Sequence, residues 1–221
     1  VSYYEFNNNT NDTIGTNNGT PTSLTYESGL VGNRGVFNGT SSKIDIADSN
    51  SLSFTDGVND KPFTISLLVT FDTLSGSSSL FTKYQDTPSG LEYAFMSFGN
   101  VLNFALFSND VNNRIQMTYT LSRIVGQSYL ISVSYDGSET LAGLKMFIDQ
   151  TDVTASTTKS QTGTYTGMVN TVSLSRIGYR AIGGANYHDG TFDQIAILNR
   201  AITLTDQEYI YNKYQSGQSL I

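Results

Sequence analysis

Cysteine is missing from the sequence, so the fold relies on no disulfide and offers no thiolate to a metal. The absence leaves the compartment open: bacterial and phage surface proteins often lack cysteine, whereas small eukaryotic secreted domains usually carry it. Tryptophan is missing too, proline occurs three times and histidine once. With one histidine and no cysteine, zinc and other transition metals have too few ligands. Any Ser-His-Asp triad has to use His188, and no nucleophile-elbow pattern stands elsewhere in the chain. Charge is sparse at 14% of residues, with 12 basic against 19 acidic side chains and a net charge of −7. The Lys and Arg residues are scattered singly, which excludes the concentrated positive face that duplex nucleic acid or an anionic membrane surface requires. No apolar run approaches the ~18 residues that span a bilayer, and no signal peptide is visible. A chain that opens on Val1 reads as processed, or as a domain excised from a larger protein.

What is abundant is aromatic and β-forming. There are 14 Tyr and 12 Phe, and the hydrophobic fraction of 38% is enough for a core. Phe63, Ile65, Leu67, Val69 and Phe71 alternate with Thr64, Ser66, Leu68, Thr70 and Asp72, a period of two with one apolar and one mostly polar face. Tyr129, Ile131, Val133 and Tyr135 repeat the pattern, as do Ile115, Met117, Tyr119 and Leu121. Turn signals separate these runs: Gly99-Asn100, Asn109 to Asn113, and Asp136-Gly137-Ser138. The first predicts a tight hairpin between Leu91–Phe98 and Val101–Phe107. Repeated hairpins with one-sided strands predict stacked antiparallel sheets. One helix is expected near the C-terminus, opened by a capping box at Thr205 and Glu208, striped by Tyr209, Ile210 and Tyr214, and stopped at Gly217. Tyr3, Tyr4 and Phe6 predict an initial strand, followed by a long Asn- and Thr-rich loop. No internal repeat or domain boundary is visible, so residues 1–221 read as one domain.

Four landmarks occur in order. The first is Tyr4-Glu5-Phe6-Asn7 with Asn11-Asp12-Thr13-Ile14-Gly15 and Asn18-Gly19-Thr20. The second is Gly29-Leu30-Val31-Gly32 with Val36-Phe37-Asn38-Gly39 and Ile44-Asp45-Ile46-Ala47-Asp48-Ser49. The third is Phe63-Thr64-Ile65-Ser66. The fourth joins Val133-Ser134-Tyr135-Asp136-Gly137 and Lys145-Met146-Phe147-Ile148-Asp149 to the closing run from Phe192 to Ile202, which ends Asn199-Arg200-Ala201-Ile202 before the helix. In this order the chain resembles the laminin-G-like jelly rolls of the concanavalin A-like lectin/glucanase superfamily. It departs from them in having no Trp, and in Gln150 where Gly usually follows Ile-Asp. The resemblance implies an all-β, two-sheet antiparallel jelly-roll sandwich with one short C-terminal helix. It implies function only by analogy.

Chemistry leaves a faint trace. The closely spaced carboxylates that a superfamily glucanase carries on one strand, as Glu-x-Asp-x-x-Glu, are absent, and Glu92 has no acid two residues away. An enzyme is therefore not expected. Calcium, which several relatives of the fold hold, needs six to eight oxygens. Asn7 and Asp12 in the first loop, with Asp193 on the closing strand, are the candidate ligands, and the ordinary alternative is an Asn/Asp turn cluster that satisfies backbone amides. Sugar binding asks for aromatic faces and for Arg, Asn or Asp to meet hydroxyls. Residues 176–189 hold the densest such set: Arg176, Tyr179, Arg180, Asn186, Tyr187, His188 and Asp189, with Gly183 and Gly184 allowing irregular shapes. Asp110, with Asn112, Asn113 and Arg114, forms a second polar tip, and Lys83-Tyr84-Gln85-Asp86 a third. The plain alternative is that Tyr is common here and that the arginines pair with surface acids. The reading is a carbohydrate-binding or adhesion module of a secreted, cell-surface or virion-surface protein, with a protein-binding module or a structural spacer as the alternative.

Overall fold

A computed structural model describes residues 1–85, 90–180 and 186–220. Eighteen strands and one α-helix occur among them. In chain order the strands are β1 (Ser2–Tyr4), β2 (Gly19–Thr22), β3 (Thr25–Ser28), β4 (Asn33–Asn38), β5 (Lys43–Ile46), β6 (Phe63–Val69), β7 (Ser77–Tyr84), β8 (Leu91–Phe98) and β9 (Val101–Phe107). They continue with β10 (Arg114–Thr120), β11 (Tyr129–Tyr135), β12 (Leu144–Ile148), β13 (Thr151–Asp152), β14 (Thr158–Thr162), β15 (Ser175–Ile177), β16 (Tyr179–Arg180), β17 (Asn186–Tyr187) and β18 (Asp189–Leu198). The helix is α1 (Leu204–Gln215). One eight-stranded sheet runs β13-β12-β11-β6-β18-β4-β3, with β1 also on β18. The second runs β14-β10-β9-β8-β7-β15-β5-β2. The ladders are antiparallel, and the expected jelly-roll sandwich is what forms. The hairpin at Gly99-Asn100 joins β8 to β9 as its Gly-Asn signal predicts.

The two sheets share one core because the inner-facing positions of their central strands are mostly apolar. Phe63, Ile65, Leu67 and Val69 of β6 and Ile131, Val133 and Tyr135 of β11 meet Tyr93, Phe95, Phe104 and Ile115 of the opposite sheet. Phe54 stacks on Phe63 with centroids 4.1 Å apart, and Phe63 lies 5.3 Å from Tyr93. Close aromatic pairs add about 0.5–1.5 kcal/mol each to the area they bury.

The other face of β6 is not in water, contrary to the one-sided pattern. Leu68 and Leu130 on the outer face of this sheet pack with Tyr3, Ala196, Ile210, Tyr214 and Leu220, so the C-terminal segment covers them. The polar side chains beneath it bond to one another rather than to water. Thr64 Oγ1 lies 3.0 Å from Ser134 Oγ and 2.8 Å from the Arg200 carbonyl. Ser66 and Ser132 hydroxyls are 2.8 Å apart, and Ser132 donates to Gln207 Oε1 at 2.6 Å. Gln207 Nε2 in turn donates to the Asp149 carbonyl at 2.8 Å. A buried polar group costs little only when it is bonded in this way.

The helix starts two residues before its expected box. Thr203, not Thr205, is the N-cap: its hydroxyl accepts from the Asp206 amide at 3.2 Å, and the Asp206 carboxylate accepts from the Thr203 amide at 2.8 Å. Both pairs have the right spacing in sequence. Ile202 decides between them, because its buried side chain and its amide bond to Ser134 Oγ anchor the entry. The shifted start turns Gln207 inward and leaves Tyr209 63% exposed. Gly217, at φ 71°, follows the last turn as predicted. We expect Thr203→Ala to cost about 1 kcal/mol of stability in a urea titration, and Thr205→Ala to stay within about 0.5 kcal/mol.

Candidate functional site

The one α-helix among the described residues packs on the first sheet, and no α-helix among them lies on the outer face of the second sheet. Its strands carry one straight row of outward side chains, set by the register: Arg176 on β15, Thr82 on β7, Ala94 on β8, Ala105 on β9, Gln116 on β10 and Ser160 on β14. Two alanines side by side at the centre leave a hollow where larger side chains would stand. The hollow is a groove of about 280 Å³, lined among others by Tyr84, Met96, Phe98, Phe107, Arg114 and Arg180. Tyr84, Leu91, Ala94, Met96, Ala105 and Phe107 form the apolar floor. Phe98 stands at one end, 42% exposed. Asn103 and Gln116 supply neutral polar groups, and no carboxylate lines the groove among the described residues.

The side chains around the floor are held in a chain of contacts. The Arg180 guanidinium lies over the Tyr84 ring, 5.3 Å from its centroid. Tyr84 meets Phe107 edge-on at 5.2 Å, and Phe107 is the cross-strand partner of Arg114. Arg114 Nε donates to Gln116 Oε1 at 3.1 Å, and its Nη1 donates to the Val111 carbonyl. Cation, ring, ring and cation thus lie in sequence across the sheet.

Tyr84 follows Thr82 outward by plain alternation, and Leu91 joins it on that face through an irregularity in β8. The ladder of β7 and β8 pairs Lys83 with Tyr93 and Tyr84 with Leu91, so Glu92 has no partner and bulges. The bulge turns Glu92 inward, onto the wholly buried Lys83 at 3.0 Å. Lys83 also donates to Asp48 at 2.7 Å and to Ser53 at 2.6 Å. Glu92 further accepts from the Thr171 amide at 2.8 Å. Burial pushes the Glu92 carboxyl up, and Lys83 and the Thr171 amide offset this. The polar tip expected at Lys83 is therefore an interior ion pair, and only Tyr84 of that tip reaches the groove; Asp86 lies outside the described residues.

The 176–189 stretch is distributed rather than gathered. Gly178, at φ 77°, turns the chain so tightly that a Cβ there would stand 2.3 Å from the Phe37 ring. Beyond it, β16 and β17 form a two-stranded ribbon in which Tyr179 lies 4.7 Å from Tyr187 and Arg180 pairs with Asn186. Gly183 and Gly184 lie outside the described residues. Arg176 is held by Asp45 at 3.0 Å and the Tyr84 carbonyl at 3.1 Å. Tyr187 and Asp189 line a separate small recess of about 30 Å³ with the buried Arg123. Asp110 binds the Asn112 amide at 2.5 Å and the Asn113 amide group at 2.8 Å, so it shapes the turn before Arg114.

His188 is the plainest correction. It is not at the surface: its ring is fully buried, 4.5 Å from Phe192 and 5.5 Å from Phe71, with Nδ1 2.7 Å from Ser78 Oγ. Alternation along the chain puts it inside, since Tyr187 and Asp189 on either side face outward. Burial pushes its pKa down to about 3.

At Asn7, Asp12 and Asp193, where calcium was expected, backbone amides meet the side-chain oxygens. Asp12 accepts four amides, those of Tyr3, Ile14, Gly15 and Asn17. Asn7 Oδ1 accepts the Asn33 amide and Asp193 the Leu30 amide. These bonds turn Asn7 Oδ1, the Asp12 oxygens and Asp193 Oδ2 toward N–H donors, and Asp193 Oδ1 accepts no hydrogen bond among the described residues. No cluster of three or more His, Asp or Glu that could hold one occurs among the described residues. We assign no cation to these oxygens.

A laminin-G-type family profile, described as the concanavalin A-like lectin/glucanases superfamily, matches residues 37–206. The chain belongs to this superfamily. Within solved structures, the superfamily fold seen here is similar to the binding domain of botulinum neurotoxin serotype C1, with a TM-score of 0.71 and 11% identity over 97% of this chain and 52% of that one. It is likewise similar to the binding domain of Paraclostridial Mosquitocidal Protein 1, at TM-score 0.70 and 13% identity over 96% and 51%. A third match, at TM-score 0.69 and 11% identity over 97% and 51%, is a botulinum neurotoxin type C structure whose cell entry depends on two ganglioside molecules. At these identities the likeness is one of fold, and the chain spans about half the length of each. No curated protein sequence matches it.

Two measurements test this account of the site and its surroundings. Lys83→Met should cost about 3–5 kcal/mol by stranding Glu92 in the interior, and adding Glu92→Gln should restore much of that loss. His188 is held neutral, so its share of stability is present above its unfolded value near 6.5 and is lost as pH falls toward about 3. His188→Gln should flatten the stability curve over that range by up to about 1.4 kcal/mol per pH unit. Asp193, held up at about 6 by burial, acts in the opposite sense between about 4 and 6, so the difference between variant and parent isolates the histidine.

Proposed function

We propose that the chain is a non-catalytic carbohydrate-binding module whose ligand lies in the groove on the outer face of the second sheet. The observation that carries this is the paired alanines Ala94 and Ala105, set between Phe98, Phe107 and Tyr84 and rimmed by Asn103, Gln116 and two arginines. A pyranose offers a C–H face to such a floor and hydroxyls to such a rim. The volume, about 280 Å³, is at the small end for a ligand pocket, which suits a few sugar units held weakly and strengthened by multivalency in the parent protein. A hydrolase of this superfamily would need two carboxylates across the bond, and the described lining supplies none. No helix among the described residues is long and apolar enough to cross a membrane. We place the module outside the cell or on a virion, where glycans are met.

The reading is tested by a glycan array together with Ala105→Leu, which fills the hollow from an outward position. The variant should keep its thermal midpoint and lose at least about tenfold in affinity. Binding that survives it would move the ligand off this face. A blank array, with a peptide library captured in its place, would favour a protein-binding module.

A further inference from the structure

Arg114 is a cation without an acid. It takes part in none of the six ion pairs among the described residues. Its two hydrogen bonds run to neutral oxygens, those of Gln116 and Val111. These bonds fix the plane of the guanidinium and leave its charge in place. The Nη2 edge makes no hydrogen bond among the described residues. Arg180 lines the same groove from the far side, over Tyr84. The strands that carry Tyr84 and Arg114 are three spacings apart, about 14 Å. The chain as a whole carries −7, yet the described lining of this groove carries two positive side chains and no negative one. A recess with low-dielectric walls concentrates such a field.

We propose that the groove selects acidic glycans, those whose sugar units bear a carboxylate, with Arg114 as the residue that reads it. This rests on the assignment of a glycan to the groove. The planar fork of a guanidinium meets both oxygens of a carboxylate at once, which a sugar hydroxyl does not offer. Gln116 and Val111 hold the fork ready, so less ordering accompanies binding. The ring of the same sugar lies on the Phe107 and Ala105 floor.

The test is an array of neutral, sulfated and carboxylated glycans, probed with the whole chain at about 50 and about 500 mM NaCl. Carboxylated glycans should bind, less tightly at the higher salt. Arg114→Gln should weaken them at least about tenfold and weaken neutral glycans by a clearly smaller factor. Arg114→Lys should fall between, because the charge stays and the fork goes. Methyl esterification of the best ligand should weaken binding to the parent chain and have no further effect on Arg114→Gln. These outer-face variants should keep the parent's thermal midpoint. Neutral glycans that bind, are lost in Ala105→Leu and ignore Arg114→Gln would overturn the acid selection and leave the glycan assignment standing. Binding confined to sulfated glycans would also overturn it. A blank array at both salts would remove the glycan assignment, and this inference with it.

Discussion

The Lys83 ammonium is wholly buried, with three oxygens within 3.0 Å, from Asp48, Ser53 and Glu92. Much of the site depends on that closure. A buried lone ammonium would cost several kcal/mol, as would the carboxylate beside it, so the two must be brought together. The bulge in β8 does so, by turning Glu92 off the ladder and into the interior. The same half-turn restores the alternation one residue out of step, which is why Tyr84 and Leu91 face the groove together. The pair also gathers distant chain: Ser53, Asp48 and Thr171 are all held at this end of the sandwich by bonds to it.

The two outer faces of the sandwich are treated differently, and that difference leaves a groove on one of them. On the first sheet, Leu68 and Leu130 are closed over by the helix and the final residues, with Gln207 bonded into a line of serine and threonine hydroxyls. On the second sheet, the apolar positions Ala94, Met96, Ala105 and Phe107 border a groove instead. Small side chains at the centre keep that face hollow instead of leaving a greasy ridge. Outside the groove the charge balance is acidic, and within it the described lining is basic.

Much of the architecture is legible without coordinates. Alternation in β6 and β11, the Gly99-Asn100 turn and the order of the four landmarks lead to two antiparallel sheets, because strand periodicity and turn chemistry are local properties of the chain. The helix is legible to within one turn, and its cap is not. Thr203 with Asp206 and Thr205 with Glu208 have the same spacing, and only the docking of Ile202 separates them. The groove was legible in part: Tyr84, Arg114 and Arg180 line it together, although they were read as parts of three separate tips. The floor between them was missed. Its signal was available in outward positions of β8 and β9 that hold Ala, Met and Phe where polar residues belong on a solvated face.

The sequence alone determined the fold class, the absence of any cysteine-based staple and the pairing of strands on either side of each tight turn, since these follow from neighbouring residues. Three things were settled only by tertiary structure. His188 went inside because Phe37 on β4, Phe71 just after β6 and Phe192 on β18 close around a position that sits among polar neighbours in sequence. Asp12, Asn7 and Asp193 met backbone amides because the first loop folds back on β1 and onto residues 29–33. The groove arose because register, which depends on how far each hairpin slides, set Ala94 beside Ala105 and Arg114 beside Phe107. Side chains on separate strands become neighbours through ladder bonds and bulges, and no local pattern in a single chain records that choice.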